Sequence, residues 1–184
     1  MIRALLCALR DERGGYVLVL RSVRVEDGPA VEAAHAQSAG EGFTFLVDRD
    51  RAGSFGKYLE LLERQQAGRD PHPGRVRASF FVAEVDGEIV GRVSIRHKLN
   101  EHLECEGGHI GFVVLPEHRR RGYATQILRR ALQFLAAEGL TTALVTCDED
   151  NVASAATIEG CGGEFTGCAE VDGSLVCHYH VPTS

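Results

Sequence analysis

The chain has 184 residues, 44% hydrophobic and 25% charged, with a formal net charge of −6, proportions that suit one soluble globular domain with a substantial core. The acidic balance argues against a general nucleic-acid binder, whose phosphate contacts need an excess of positive surface. No apolar run reaches the ~20 residues that cross a membrane.

Residues 1–15 show no clear period and read as an N-terminal extension of undetermined order; residues 16–184 read as a single domain. The apolar Ala4-Leu-Leu-Cys-Ala-Leu9 is short, and Arg10-Asp-Glu-Arg13 follows it instead of a small-residue cleavage site, so a cytoplasmic location is expected. The six cysteines, at 7, 105, 147, 161, 168 and 177, contain no C-x-x-C pair. Their spacing suits reduced thiols better than a disulfide framework or a zinc site.

Tyr16-Val-Leu-Val-Leu-Arg21 is rich in strand formers. Asp27-Gly-Pro29 then opens a helix to about Gly40, with Asp27 as its cap and Pro29 in its first turn. Ser54 caps a second helix to about Gln66, where Phe55, Tyr58, Leu59 and Leu62 recur at helical spacing. After a Pro-containing loop to Arg77, Phe80–Val85 and Glu88–Ile95 flank Asp86-Gly87, a hairpin signal. His97 to Gly108 is polar and loop-like. His109 to Leu115 is an apolar strand. Arg119 to Glu138 is helical, with Ile127, Leu128, Ala131, Leu132 and Leu135 on one stripe. Leu140–Cys147 reads as a buried strand, Asn151–Glu159 as a short helix, and Glu164–Val171 with Leu175–Val181 as a hairpin about Asp172-Gly173. The strand-helix-strand unit from His109 to Cys147 predicts a parallel pair, and the hairpins predict antiparallel ones. The expected fold is α/β, with a mixed, mostly antiparallel sheet, one splayed parallel pair and helices on both faces. Ligands bind where such a strand order changes.

The most informative stretch is Val114-Leu-Pro-Glu-His-Arg-Arg-Arg-Gly-Tyr-Ala124. A strand runs into a basic turn that opens a helix, leaving unpaired N–H groups at the positive helix end beside Arg119, Arg120 and Arg121. That arrangement suits phosphate. Gly122 admits conformations closed to other residues, and Ala124 adds little bulk. Neither a P-loop nor the G-x-G-x-x-G fingerprint is present.

The spacing Arg119-x-x-Gly122-x-Ala124 resembles the pyrophosphate loop of the GNAT acetyltransferases. The Asp86-Gly87 hairpin with Gly91, and the run Asn151-Val-Ala-Ser154-Ala-Ala-Thr-Ile-Glu159-Gly-Cys-Gly-Gly163, resemble family segments in the expected order. Within the family, the run from Ile95 to Gly111, with Val145–Asp148 and Asn151, is similar to an uncharacterised group of predicted bacterial acetyltransferases. The resemblance implies an acetyl-coenzyme A-dependent N-acetyltransferase. Main-chain groups of Phe112, Val113 and Val114 would hold the pantetheine arm, and the Val114 amide would serve as oxyanion donor. Arg119 and the stretch Arg120, Arg121, Gly122, Tyr123, Ala124 and Thr125 would wrap the pyrophosphate. Asn151 and Ser154 would face the same channel, although Asn151 reads equally as a helix cap.

An activated thioester needs an amine held in line and deprotonated. His109, at the start of the fourth strand, and Glu106 just before it are the candidate bases; His109 can instead bond a neighbouring loop and shape the site. The position that carries a tyrosine acid in many family members is Ile158, so the acid is another residue, water, or not needed; Tyr179, Cys147 and Cys161 are substitutes on sequence proximity alone. His97, Asn100, Glu101, His102 and Glu104 form a polar cluster, while Glu41, Asp48 and Asp50 lie where family acceptor loops occur. The polar cluster has no specific metal spacing; His178-x-His180 would point to one strand face, where it could bind a metal by geometry, but it reads first as an exposed polar face. Expected partners are acetyl-coenzyme A and a small, peptide or protein amine; a homodimer through the last hairpin stays open. The alternative is a GNAT-like module that binds an acyl-coenzyme A or an amine without turnover.

Overall fold

The computed structural model describes residues 17–40 and 43–184; the N-terminal extension, Tyr16 and Glu41 lie outside them. In chain order the elements are β1 (Val19–Arg21), α1 (Gly28–Ala39), α2 (Phe55–Gln66), β2 (Ala78–Val85), β3 (Glu88–Arg96), α3 (Glu101–Cys105), β4 (Ile110–Val114), α4 (Tyr123–Ala137), β5 (Thr142–Asp148), α5 (Val152–Glu159), β6 (Glu164–Val171) and β7 (Ser174–Pro182). Both hairpin signals hold: Asp86, Gly87, Asp172 and Gly173 all have positive φ, the geometry of a two-residue turn that matches strand twist. Ser54 caps α2 by accepting from the Lys57 amide at 3.3 Å. Asp27 does not cap α1. Its carboxylate accepts from the Arg24 amide and the Arg21 guanidinium, which closes a short 3-10 turn before the helix. The segment expected to be a loop contains α3, which Asn100 caps through the Leu103 amide.

The expected parallel pair is absent. Among the described residues there are two sheets, β1-β2-β3-β4 and β5-β7-β6, and every pairing in both is antiparallel. The cause sits at the start of β4. The His109 amide donates to the Leu144 carbonyl at 2.7 Å, as a parallel ladder would begin. The next rung would need the His109 carbonyl to accept from the Thr146 amide, but that carbonyl accepts from the Arg96 amide of β3 at 2.8 Å, and the Leu144 amide donates to the His109 Nδ1 at 2.9 Å. Beyond this point β4 and β5 diverge.

Residues of alternate parity on the four-stranded sheet feed two cores. Phe81, Ala83, Val93, Ile95 and Ile110 pack with the α4 stripe and with Ala143, Val145 and Tyr179 of the second sheet. Val82, on the opposite face, packs with Val31, Phe45, Leu46, Tyr58 and Leu61 of α1, α2 and their connection. Helices therefore cover both faces.

The cysteine expectation also needs correction. Cys168 and Cys177 are cross-strand partners on β6 and β7 and form a disulfide, because antiparallel register places their side chains on one face. Cys105, Cys147 and Cys161 are free thiols. No helix among the described residues is long and apolar enough to cross a membrane.

Candidate active site

The edge of β4 facing the gap is set by its bonding to β3. The Leu115 amide donates to the Val90 carbonyl, and the Arg96 amide donates to the His109 carbonyl. With the register Gly91↔Val114 to Ile95↔Ile110, alternation turns the main-chain groups of Gly111 and Val113 toward β3. Those of Phe112 and Val114 face the gap. Phe112 and Val114 thus offer an open strand edge, whereas the Val113 amide is spent within the sheet. Gly91 lets this edge sit close, since a Cβ there would lie 2.4 Å from the Val113 carbonyl oxygen and 3.2 Å from Ile127 Cδ1.

At the end of β4 the chain makes a 3-10 turn, Pro116–His118, before α4. Arg120 and Gly122 have φ of 64° and 77°, which redirects the backbone so that α4 starts at Tyr123 with no side-chain cap. The first-turn amides of Tyr123, Ala124 and Thr125 are therefore free for an anion. Arg119, Arg120 and Arg121 are exposed around them, and the Arg119 Nε donates to the Val114 carbonyl at 3.2 Å. The Tyr123 ring is buried in the core, so only its main chain can reach a ligand. Across the gap, Asn151 Oδ1 accepts from the Ser154 amide at 3.1 Å. That makes it the cap of α5 and leaves its side-chain N–H donors for other work. Ser154 also bonds the Cys147 thiol, whose pKa burial nonetheless raises.

The sequence profile of the acetyltransferase (GNAT) family matches residues 44–162. This chain belongs to that family. Two mycothiol acetyltransferases, from Streptomyces griseus and Streptomyces coelicolor, are 40% and 31% identical over 103 residues. They take the place of the uncharacterised bacterial group as the relatives found. Each match covers 55% of this chain and 32% of the relative, so the chain spans about a third of the length of those curated relatives. The fold is shared with RimJ of Mycobacterium smegmatis in complex with CoA-disulfide, with TM-score 0.66 and 24% identity over 90% of this chain and 80% of that one. It is shared also with yncA of Salmonella typhimurium with its cofactor acetyl-CoA, with TM-score 0.61 and 15% identity over 91% and 94% of the two chains.

In this GNAT chain the predicted bases differ in setting. His109 is half-buried, its Nδ1 lone pair is committed to the Leu144 amide, and burial lowers its pKa. The neutral ring therefore carries its proton on Nε2 and bridges β4 to β5. Glu106 is exposed and lines a cavity of about 250 Å³ on the α1–α2 face, together with Asp48, Arg75, Arg96 and His102. Asn100 caps α3, Glu101 and Glu104 point to solvent, and His97 bonds Ser79 at 2.9 Å. Asp48 is held by Arg51, Arg75 and Gln65; Asp50 is exposed. His178 Nε2 lies 2.8 Å from the Cys105 carbonyl oxygen, and the described residues contain no metal-ligating cluster. Ile158 is fully buried. Of its substitutes, Tyr179 is a core residue, and burial raises the pKa of Cys147, Cys161 and Tyr179 alike.

The sequence reading missed Arg92, Ser94 and Arg96. They alternate with Val93 and Ile95 on a strand covered on both faces, so polar residues at i, i+2 and i+4 were the available signal.

The histidines set a pH dependence. Burial is the largest cause of the lowered pKa of both His97 and His109. Folded values below the unfolded value of about 6.5 mean that the native state binds fewer protons. The stability they contribute is present above pH about 6.5 and is lost as pH falls through the lower folded values. Melting temperature should drop between pH 6.5 and 5, above the range where most carboxylates titrate. His109→Gln should flatten that drop; an unchanged slope would show that His109 makes no contribution to it.

Proposed function

We propose that this chain is an acetyl-coenzyme A-dependent N-acetyltransferase that moves an acetyl group to a primary amine by direct attack on the thioester. One observation carries the reading: a strand edge open at Phe112 and at the Val114 amide leads through one 3-10 turn to an uncapped, arginine-flanked helix start. Such an edge binds an extended amide-containing arm as an added strand, and the helix start binds its diphosphate. An N–H of Phe112 or Val114 stabilises the oxyanion as the amine adds to the carbonyl carbon. Glu106, at the cavity, receives the ammonium proton, while His109 positions the gap by bridging the strands. Collapse of the intermediate expels the coenzyme A thiolate, which takes a proton from water. A cytoplasmic location belongs to this reading, as does self-association through the β6–β7 hairpin, where Phe165 and Leu175 are exposed.

Release of free thiol from acetyl-coenzyme A, followed over a panel of amines, tests the activity. The deacetylated form of mycothiol belongs in that panel because of the relatives' name. Acceptor-dependent release is expected. Binding of acetyl-coenzyme A without release for any acceptor would favour the second reading, a non-catalytic sensor, which the buried Ile158 at the tyrosine position motivates. With an active acceptor, Glu106→Gln should lower kcat/KM about 100-fold near neutral pH, the usual scale of general-base catalysis. The loss should shrink toward pH 9 as free amine accumulates. A pH-independent loss would assign Glu106 to binding.

A further inference from the structure

At and behind the cavity beside β4 stand four arginines, Arg51, Arg75, Arg92 and Arg96, against three carboxylates, Asp48, Asp70 and Glu106. Asp48 and Asp70 are matched by Arg51 and Arg75: Arg51 donates to both carboxylates, with 2.7 and 2.8 Å bonds to Asp70, and Arg75 is paired with Asp48. Among the described residues, neither Arg92 nor Arg96 makes an ion pair, although Asp48 acts on Arg96 through space. Arg92 is 7% exposed; among the described residues its Nη atoms donate only to the carbonyls of Gly111 at 2.8 Å and Thr44 at 2.5 Å, and its buried Nε has no partner. Arg96 lines the cavity and uses one nitrogen, Nη1, on the carbonyls of Gly107 and Gly108 at 2.8 and 3.2 Å. The rest of its fork has no partner among the described residues and is not sealed from solvent. Carbonyl dipoles orient a guanidinium but carry no opposite charge, so the buried Arg92 beside the partly buried Arg96 is costly to hold.

The two groups converge on one point. A Cβ at Gly111 would lie 3.7 Å from the Nη1 of Arg92 and 3.7 Å from that of Arg96. Gly111 is opposite Ser94, which also lines the cavity, and it precedes Phe112, whose amide opens to the gap. The positive pair therefore stands one residue from the proposed thioester seat. On the other side, the carbonyl that anchors Arg96 belongs to Gly107, next to Glu106. An anion site and an amine-proton acceptor thus lie side by side in a cavity of about 250 Å³, below the 300–1,000 Å³ of drug-sized sites.

We infer that the acceptor is a small amine that also carries a carboxylate, of the amino-acid class, with its carboxylate on the free donors of Arg96, reinforced by the buried charge of Arg92, and its amine toward Glu106. This rests on the acyl-transfer reading for its meaning, but its binding component can be tested without it. A planar guanidinium grips a carboxylate through two parallel N–H bonds, which an amide cannot match in charge.

The test is equilibrium binding of the twenty standard L-amino acids and their matching carboxamides to the full chain, with and without coenzyme A, alongside a separate acetyl-coenzyme A titration. At least one amino acid should bind with millimolar or tighter affinity and at least tenfold better than its amide. Arg96→Gln should reduce that ratio to threefold or less while leaving acetyl-coenzyme A affinity unchanged. If no amino acid binds at 20 mM, if an amide binds as well as its acid, or if the ratio survives Arg96→Gln in a folded variant, the inference is overturned. Selective amino-acid binding with no acetyl-coenzyme A binding would instead overturn the acyl-transfer reading and leave the carboxylate site standing.

Discussion

Gly122→Glu is expected to weaken acetyl-coenzyme A binding by about 100-fold or more in isothermal titration. Gly122 is exposed, and a Cβ there meets nothing within 4 Å, so the side chain fits without a clash. The cost comes from charge. A carboxylate about 6 Å from a diphosphate loses about 3 kcal/mol per unit charge at an effective dielectric of about 20, which is roughly a hundredfold in Kd. The position is exposed, so the effect should grow at low ionic strength and shrink in high salt. The backbone contributes separately, because φ at Gly122 is 77° and a side chain there costs about 1–2 kcal/mol of folding stability. Gly122→Lys carries the same backbone cost with the opposite charge and should retain most affinity. Equal losses in the two variants would place the effect in the backbone; an unchanged affinity for Gly122→Glu would remove the diphosphate from this turn.

Gly91→Ala should be the most destabilising single-methyl change on β3, by about 3 kcal/mol in denaturant unfolding. The new Cβ would meet backbone, at 2.4 Å from the Val113 carbonyl oxygen and 3.3 Å from Val114 Cα. Backbone cannot rotate aside as a side chain can, so β4 must shift or its bonding to β3 must break; overpacking of this kind costs about 1–3 kcal/mol, sometimes more. The site should suffer with the fold, since β4 carries the open edge at Phe112 and Val114. Gly56 offers the control. It lies inside α2 with open space around its Cβ, so Gly56→Ala should stabilise by up to about 1 kcal/mol. Equal and small effects at the two positions would contradict the close approach of β3 and β4.

What was legible in the chain follows from how local each signal is. The two Asp-Gly turns, the Ser54 cap and the α4 stripe depend on a few adjacent residues, and each formed as expected. The relation of β4 to β5 depends on one residue. His109 donates its amide to β5, gives its carbonyl to Arg96 of β3 and takes the Leu144 amide on its ring, and no periodicity marks that event, so the strand-helix-strand pattern led to a parallel pair that does not form. Cys168 and Cys177 are separated by nine positions, but only the register of the β6–β7 hairpin makes them opposite. For the site, the basic turn was visible because its residues are contiguous. The cavity draws on the α1–α2 connection, the loop before β2, β2, β3 and α3, and becomes a unit only when the chain folds. Arg92 and Arg96 stood in plain sight as alternating polar residues, yet that no described carboxylate pairs with them is a property of three dimensions.

Amide hydrogen exchange at β4, resolved by residue with and without acetyl-coenzyme A, tests the central claim most directly. The Phe112 and Val114 amides, facing the gap, should exchange readily in the free protein and slow at least tenfold in the complex. The Val113 amide, bonded to β3, should be slow in both states. Tyr123, Ala124 and Thr125 at the α4 start should slow with the first two. Saturating binding that leaves Phe112, Val114 and the α4 amides unchanged would contradict this account, as would the absence of any response at millimolar cofactor.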